Sequence, residues 1–456
     1  MDAIIPTLVV GGFFVCSFLY GQYSRHRRLQ YWQGIAKLCH LHVVKVFRWV
    51  WGLTLQGRAE PLEVWITGSL RSKSGTQIVV MIPGPPGFSE VSIRRESQTP
   101  WKTCKIEVGS EAFDKTFFVE GPLGLVLALL DAETRGLLIS ANDATATAGS
   151  RLELVGGELL VETVDSQLPL ILPLLLGIGQ RFAQPENVER RLAQNATRDP
   201  EAGIRLKNLS CLIHEHPRDR GTLRVLRAAC SDPSPEVRLR AGRALGAQGR
   251  DVLLELAENP EDDAASAQAV SILGHELSFE HTRAILDKAR GLRRIQTARI
   301  CLEAFGRSGD AAAVDALTHV MEEEEGELAA AAARALEATG SPAAEGPLIL
   351  ALQREQMDLR MAAANALARV GSVAAVLPLE EAAVRFWLDF ELGRATQQAI
   401  AEIHSRLPGA SPGQLSLAAA EMGQLSLAQD GAGQLSLATD PAGRLSLGDE
   451  GTPKDV

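Results

Sequence analysis

A pattern that recurs about every thirty residues constrains this chain more than any other feature. From Ile204 onward, apolar or small residues fall at four-residue steps: Ile204-Asn208-Leu212, Val237-Ala241-Leu245, Ala265-Ala269-Leu273 and Thr297-Cys301-Phe305. Leu328-Ala332-Leu336, Leu359-Ala363-Leu367 and Leu392-Thr396-Ile400 continue it, and the last members lie 33, 28, 32, 31, 31 and 33 residues apart. Steps of four put each triplet on one helical face. A period near thirty leaves room for one further helix, and stacked helix pairs of this kind make an α-solenoid. Those first helices are expected at Thr222–Ala229, Asp251–Ala257, Glu280–Ala289, Ala311–Met321, Ala343–Gln353 and Val373–Phe386. Gly249, Gly309, Gly340 and Gly371 follow their triplets by four residues, where left-handed helix caps are expected.

Two copies carry a more specific signature. Pro235-Glu236-Val237-Arg238-Leu239-Arg240-Ala241-Gly242-Arg243-Ala244-Leu245-Gly246 and Asp358-Leu359-Arg360-Met361-Ala362-Ala363-Ala364-Asn365-Ala366-Leu367 resemble the short HEAT-like repeat first named for phycobilin lyases. An arginine follows the first face residue at Arg205, Arg238 and Arg360. The resemblance covers about half the chain. It implies a HEAT-like solenoid over 186–407 that holds protein partners; the alternative is an enzyme or enzyme accessory with a bilin-lyase-like groove or an unrecognised site in residues 52–182. A fold of this kind licenses no activity by itself.

Upstream the period shortens towards strands. Leu62–Gly68, Gln77–Ile82, Glu90–Arg94, Thr103–Val108, Lys115–Val119, Gly136–Ser140, Arg151–Val155 and Leu159–Thr163 are candidate strands, with a hairpin at Gly156-Gly157. Pro122–Ala132 and Leu168–Phe182 read as helices. Residues 52–182 are therefore expected to form a small α/β domain of antiparallel sheet and helices. Its layout resembles modules that precede repeat domains in bacterial membrane proteins. The expected fold is mainly α, with the solenoid following this domain.

Ala3–Tyr20 is 18 residues without a charge, close to what a bilayer-spanning helix needs. Asp2 precedes it, and Arg25, Arg27 and Arg28 follow. That order opposes a cleavable signal peptide, and the positive-inside rule predicts a single-pass anchor over 3–22 with the bulk of the chain cytoplasmic. Residues 23–51 are expected to form a juxtamembrane amphipathic segment, either an interfacial helix or a helix that caps the next domain. Residues 1–52 sum to +5, so the remainder of a chain with net charge −10 is acidic. An acidic solenoid lacks the basic stripe that tracks phosphates, so no nucleic-acid partner is expected.

After Leu407 one element recurs every ten residues: Leu415-Ser416-Leu417, Leu425-Ser426-Leu427, Leu435-Ser436-Leu437 and Leu445-Ser446-Leu447, each two residues after a glycine. The spacers bury little, so residues 408–456 read as a tail that is disordered when free. The four copies are candidate partner-binding motifs: leucines at alternate positions suit addition to a sheet edge, and repetition raises avidity. The serines are also candidate phosphorylation sites. Elsewhere, Cys39-His40-Leu41-His42 and His214-Glu215-His216 have poor metal-ligand spacing. Pro83–Gly87 reads as a turn, and Glu322–Glu325 as a solvated acidic loop. No catalytic, cofactor-binding or metal-ligating set is identified, and a protein that is not an enzyme is expected.

Overall fold

The structure, a computed structural model, describes residues 22–49, 52–69, 75–98, 105–145, 151–183, 187–259, 262–406, 415–417 and 425–427. The chain divides into two compact units, Met1–Val252 and Leu253–Val456.

In the first unit a helix over residues 22–38 (α1) leads into an antiparallel sheet. Its strands are β1 (His42–Trp49), β2 (Gly52–Ala59), β3 (Leu62–Ser69), β4 (Thr76–Met81), β5 (Ser92–Arg95), β6 (Phe117–Glu120), β7 (Leu152–Val155) and β8 (Glu158–Thr163). They lie in the order β1-β2-β3-β4-β8-β7-β5-β6. The Gly156-Gly157 hairpin forms as the sequence suggests, with both glycines at positive φ and Val155 paired with Glu158. Alternation along β4 and β8 buries Ile78, Val80, Leu159 and Val161 on one face. Interleaved with the strands are α2 (Glu111–Thr116), α3 (Leu123–Leu129), α4 (Ala132–Ala144) and α5 (Leu168–Phe182). The uniformly apolar α5 lies on β3, β4 and β8 and buries Ile171, Leu172, Leu175 and Ile178 there.

Residues 23–51 differ from the expected amphipathic segment. Helix α1 is packed into the sheet domain, with Trp32 fully buried and its Nε1 donating to Asp165 Oδ1 at 3.0 Å. Arg28 joins the same carboxylate at 2.7 Å. The remainder of the segment is edge strand β1, which pairs with β2 and carries an irregularity between Val43 and Lys45. The apolar residues Val43, Val44 and Val46 are β-branched, and that chemistry suits a strand. The sheet domain therefore begins upstream of residue 52. Gly136–Ser140, expected as a strand, lies within α4. Asp131 caps that helix by accepting from Thr134 N, and a short apolar run alone does not distinguish helix from strand. Lys115 and Thr116 end α2, and strand β6 begins at Phe117. The described part of Thr103–Val108 is not a strand, although Ile106 N donates to Val119 O.

The repeats follow. In the first unit α6 (Val188–Arg198) pairs with α7 (Ala202–Glu215), and α8 (Arg220–Ala229) with α9 (Pro235–Leu245). Their apolar faces share one core with the sheet domain, continuous from Leu29 to Ala241, and α3 packs on both α6 and α7. The unit boundary falls inside α10 (Arg250–Glu258). The second unit contains α11 (Asp263–Leu273), α12 (Phe279–Gly291), α13 (Ile295–Ser308), α14 (Ala311–Glu323), α15 (Glu327–Thr339) and α16 (Glu345–Ala351). It continues with α17 (Met357–Val370), α18 (Val376–Arg385) and α19 (Phe390–Ser405), and α11, α13, α15, α17 and α19 stack in succession.

Of the triplet residues, only Leu245 and Ile400 are less than fully buried. In α19 the buried face runs Leu392-Thr396-Ala399-Ile403, so the last anchor is Ile403. Small middle residues permit close stacking: a Cβ on Gly306 of α13 would lie 2.6 Å from Ala335 O of α15. Gly309 and Gly340 adopt the expected left-handed caps, whereas Gly371 is extended and Gly249 lies in a 3-10 turn. Gly246 and Gly274, each directly after its triplet, end α9 and α11 at positive φ instead.

Among the described residues no helix is long and apolar enough to cross a membrane. The expected span Ala3–Tyr20 lies outside the described residues.

Candidate partner-binding surface

Each arginine that follows a first face residue turns back to staple the loop before its own helix. Arg205 Nη1 donates to Asp199 O and Pro200 O, Arg238 Nη1 to Asp232 O and Pro233 O, and Arg360 Nη1 to Arg354 O and Glu355 O. The acceptors are six and five residues back in every case. Arg205 also forms a two-bonded pair with Asp232, both contacts at 2.8 Å, which joins one helix pair to the next. Arg135 of α4 makes the same kind of pair with Asp199 at 2.9 and 3.0 Å, so the sheet domain begins this series.

Arg360 sits at the foot of the last repeat, and its surroundings differ. Its guanidinium lies 3.8 Å from the Phe386 ring centroid, and Asp389 Oδ2 is 3.8 Å from Nη2. Arg360 is buried, yet its Nε has no hydrogen-bond partner, and neither has Asp389 Oδ2. Asp389 Oδ1 caps α19 through Leu392 N. The turn that follows Phe386 projects outwards: Trp387 is 70% exposed, Leu388 71%, Phe390 80% and nearby Val384 75%. Trp387, Leu388 and Phe390, with Met357, bound a groove of about 550 Å³. Exposed apolar clusters of this kind mark interaction sites.

This groove was not among the residues singled out from sequence. The signal was available, because Phe386, Trp387 and Phe390 place three aromatics in five residues of a chain whose aromatic fraction is 5%. Of the four tail motifs, the first two pair as antiparallel strands β9 (Leu415–Leu417) and β10 (Leu425–Leu427). Leu425 lies opposite Leu417, Ser426 opposite Ser416 and Leu427 opposite Leu415. Leu435, Ser436 and Leu437, and likewise Leu445, Ser446 and Leu447, lie outside the described residues.

The polar clusters have structural partners. Arg290 binds Glu323 and Glu324 of the acidic run at 3.0 and 2.7 Å. His214 and Glu215 close α7, and His40 stands in a turn with φ 55° before β1. Among the described residues no group of three or more His, Cys, Asp or Glu could hold a metal ion. Burial pushes the Cys301 thiol up to about 12; burial and then Glu215 do the same for Cys211. A second cavity, about 430 Å³, is floored by the Phe279–Phe305 ring contact, with Ser271, His275, Arg307 and Ser308 in its lining.

Residues 314–387, from α14 through α18, match the family model of HEAT repeats. The chain carries HEAT-like repeats. The matched stretch ends at Trp387, so the exposed turn of the HEAT-like solenoid lies at its edge. Solved structures similar to the HEAT-like chain include human deoxyhypusine hydroxylase in complex with glycerol. It is 15% identical, with 48% of this chain and 96% of that one covered and a TM-score of 0.22. Another is the complex of CpcE and CpcF of phycocyanin lyase from Nostoc sp. PCC7120, at 17% identity, 49% and 96% coverage and a TM-score of 0.27. An engineered protein is 20% identical, with 48% and 89% covered and a TM-score of 0.21. No curated protein matches the sequence.

Proposed function

We propose that this chain is a membrane-tethered cytoplasmic scaffold that holds protein partners on its HEAT-like solenoid and on its Leu-Ser-Leu tail. Its work is binding and not catalysis. The observation that carries the reading is the exposed turn before α19, where Trp387, Leu388 and Phe390 line one groove with the buried Arg360. Large aromatic side chains beside an arginine are the chemistry of interface anchors. Two polar clusters elsewhere in the solenoid have structural partners: Arg290 holds Glu323 and Glu324, and Asp263 accepts from Gln296 N and Thr297 N. The buried thiols of Cys211 and Cys301 stay protonated at neutral pH, which suits packing better than nucleophilic attack.

The tether rests on the uncharged run Ala3–Tyr20 and the arginines after it. Helix α1, described from residue 22, packs into the sheet domain that such a tether would hold.

Capture from membranes with the full chain, beside a Trp387→Ala/Phe390→Ala variant, tests the binding site. A specific partner retained by the first and lost by the second is expected; equal recovery on both would overturn the assignment. Fractionation tests the tether: the chain should resist a high-salt wash of membranes and be released when residues 1–21 are deleted. A full chain that washes off would exclude the anchor.

A further inference from the structure

The groove at the α18–α19 turn leaves Trp387, Leu388 and Phe390 in water, although the same chain carries four short apolar motifs close by. Where those motifs can reach is set by the end of α19. Arg406 fixes that end by donating to Ala368 O and to Gly371 O, the latter at 2.8 Å. The groove lies at the opposite end of α19, sixteen residues and about 24 Å away at 1.5 Å per residue.

The first motif starts only eight residues after Leu407, so it would have to run almost fully extended, about 26 Å, to arrive. It is also engaged already, because β9 pairs with β10. That pairing brings Leu427 back beside Leu415. The third motif is therefore separated from the end of α19 by two eight-residue linkers, 407–415 and 427–435, joined at the hairpin. Sixteen residues reach about 53 Å at full extension, so the third motif has the length to cover the distance. Effective concentration falls as a tether lengthens beyond its span, so the third copy is favoured over the fourth.

We propose that the chain's own third motif, Leu435-Ser436-Leu437, docks in this groove in cis, covering Trp387 and Phe390 until a partner displaces it. This rests on the reading of the groove as the partner site and adds its regulation. The two leucines take the apolar surface, and the β9–β10 hairpin sets the tether length.

Hydrogen exchange of amides 385–392 in the purified full chain tests it. Leu435→Asp/Leu437→Asp should speed exchange at these amides about fivefold or more, and Leu445→Asp/Leu447→Asp should leave it within twofold. Protection should not change with protein concentration. Unchanged exchange in the Leu435/Leu437 variant overturns the proposal. So does protection that grows with concentration, since a second copy would then be the occupant. Partner capture separates the two readings. If capture depends on Trp387 and Phe390 while the Leu435/Leu437 variant exchanges like the parent, the groove remains the partner site and the cis motif is excluded.

Discussion

Arg135 and Asp199 show what a single residue contributes here. Both are almost fully buried, and the guanidinium also reaches Glu201 at 2.8 Å and Leu130 O at 2.8 Å. Arg135→Ala would leave Asp199 as a buried charge without its partner, which costs about 3–5 kcal/mol. A matching fall in stability in urea is expected. Asp131 links the fold to pH. Burial alone would raise its carboxyl, but the Thr134 amide and hydroxyl and the Arg181 guanidinium outweigh it and hold the group below the ordinary carboxylate range. Its stabilisation is complete above the unfolded value, about 3.9, and is lost as pH falls through the lower folded value. Unfolding midpoints measured across that acidic window should fall more steeply for the parent than for Asp131→Asn.

At the scale of elements, the stack depends on small residues where helices meet. Ala363 is fully buried in α17, between the faces of α15 and α19, and Ala363→Leu would overpack that layer by about 1–3 kcal/mol. Gly306→Ala should cost a similar amount, because the added methyl meets a backbone carbonyl of α15 that has little room to retreat. Thermal melts of both variants check this, and a melt equal to the parent's would place the tight contact elsewhere. These layers could be read from sequence because each triplet samples a single helical face, and burial of that face requires a neighbour. The sheet was less legible. Leu62–Gly68 and Leu159–Thr163 alternate cleanly, but Gly136–Ser140 is an apolar run whose identity is decided by the Asp131 cap before it. β1 was hidden because its exposed edge carries Lys45 and Phe47 among the valines. The groove escaped notice for a different reason. Its residues lie on a turn, outside the helical period that reveals the stack, and only their aromatic density marks them.

For the whole molecule, the division at Val252 and Leu253 has a thermodynamic counterpart. Two compact units with separate cores should not melt as one. Calorimetry is expected to resolve two transitions, or one whose calorimetric enthalpy exceeds the van't Hoff value. Arg135→Ala should move the component from the first unit, and Ala363→Leu the component from the second. The first unit also shows how a sheet and a solenoid come to share one core. Arg135 grips Asp199 as Arg205 grips Asp232, so the sheet domain presents to the first helix pair the socket that this pair presents to the second. A seam with that chemistry is indifferent to how many layers follow. Descendants of this chain could therefore lengthen or shorten by whole helix pairs without redesigning the join, which makes the solenoid a ruler whose length is free to vary while its foot stays fixed.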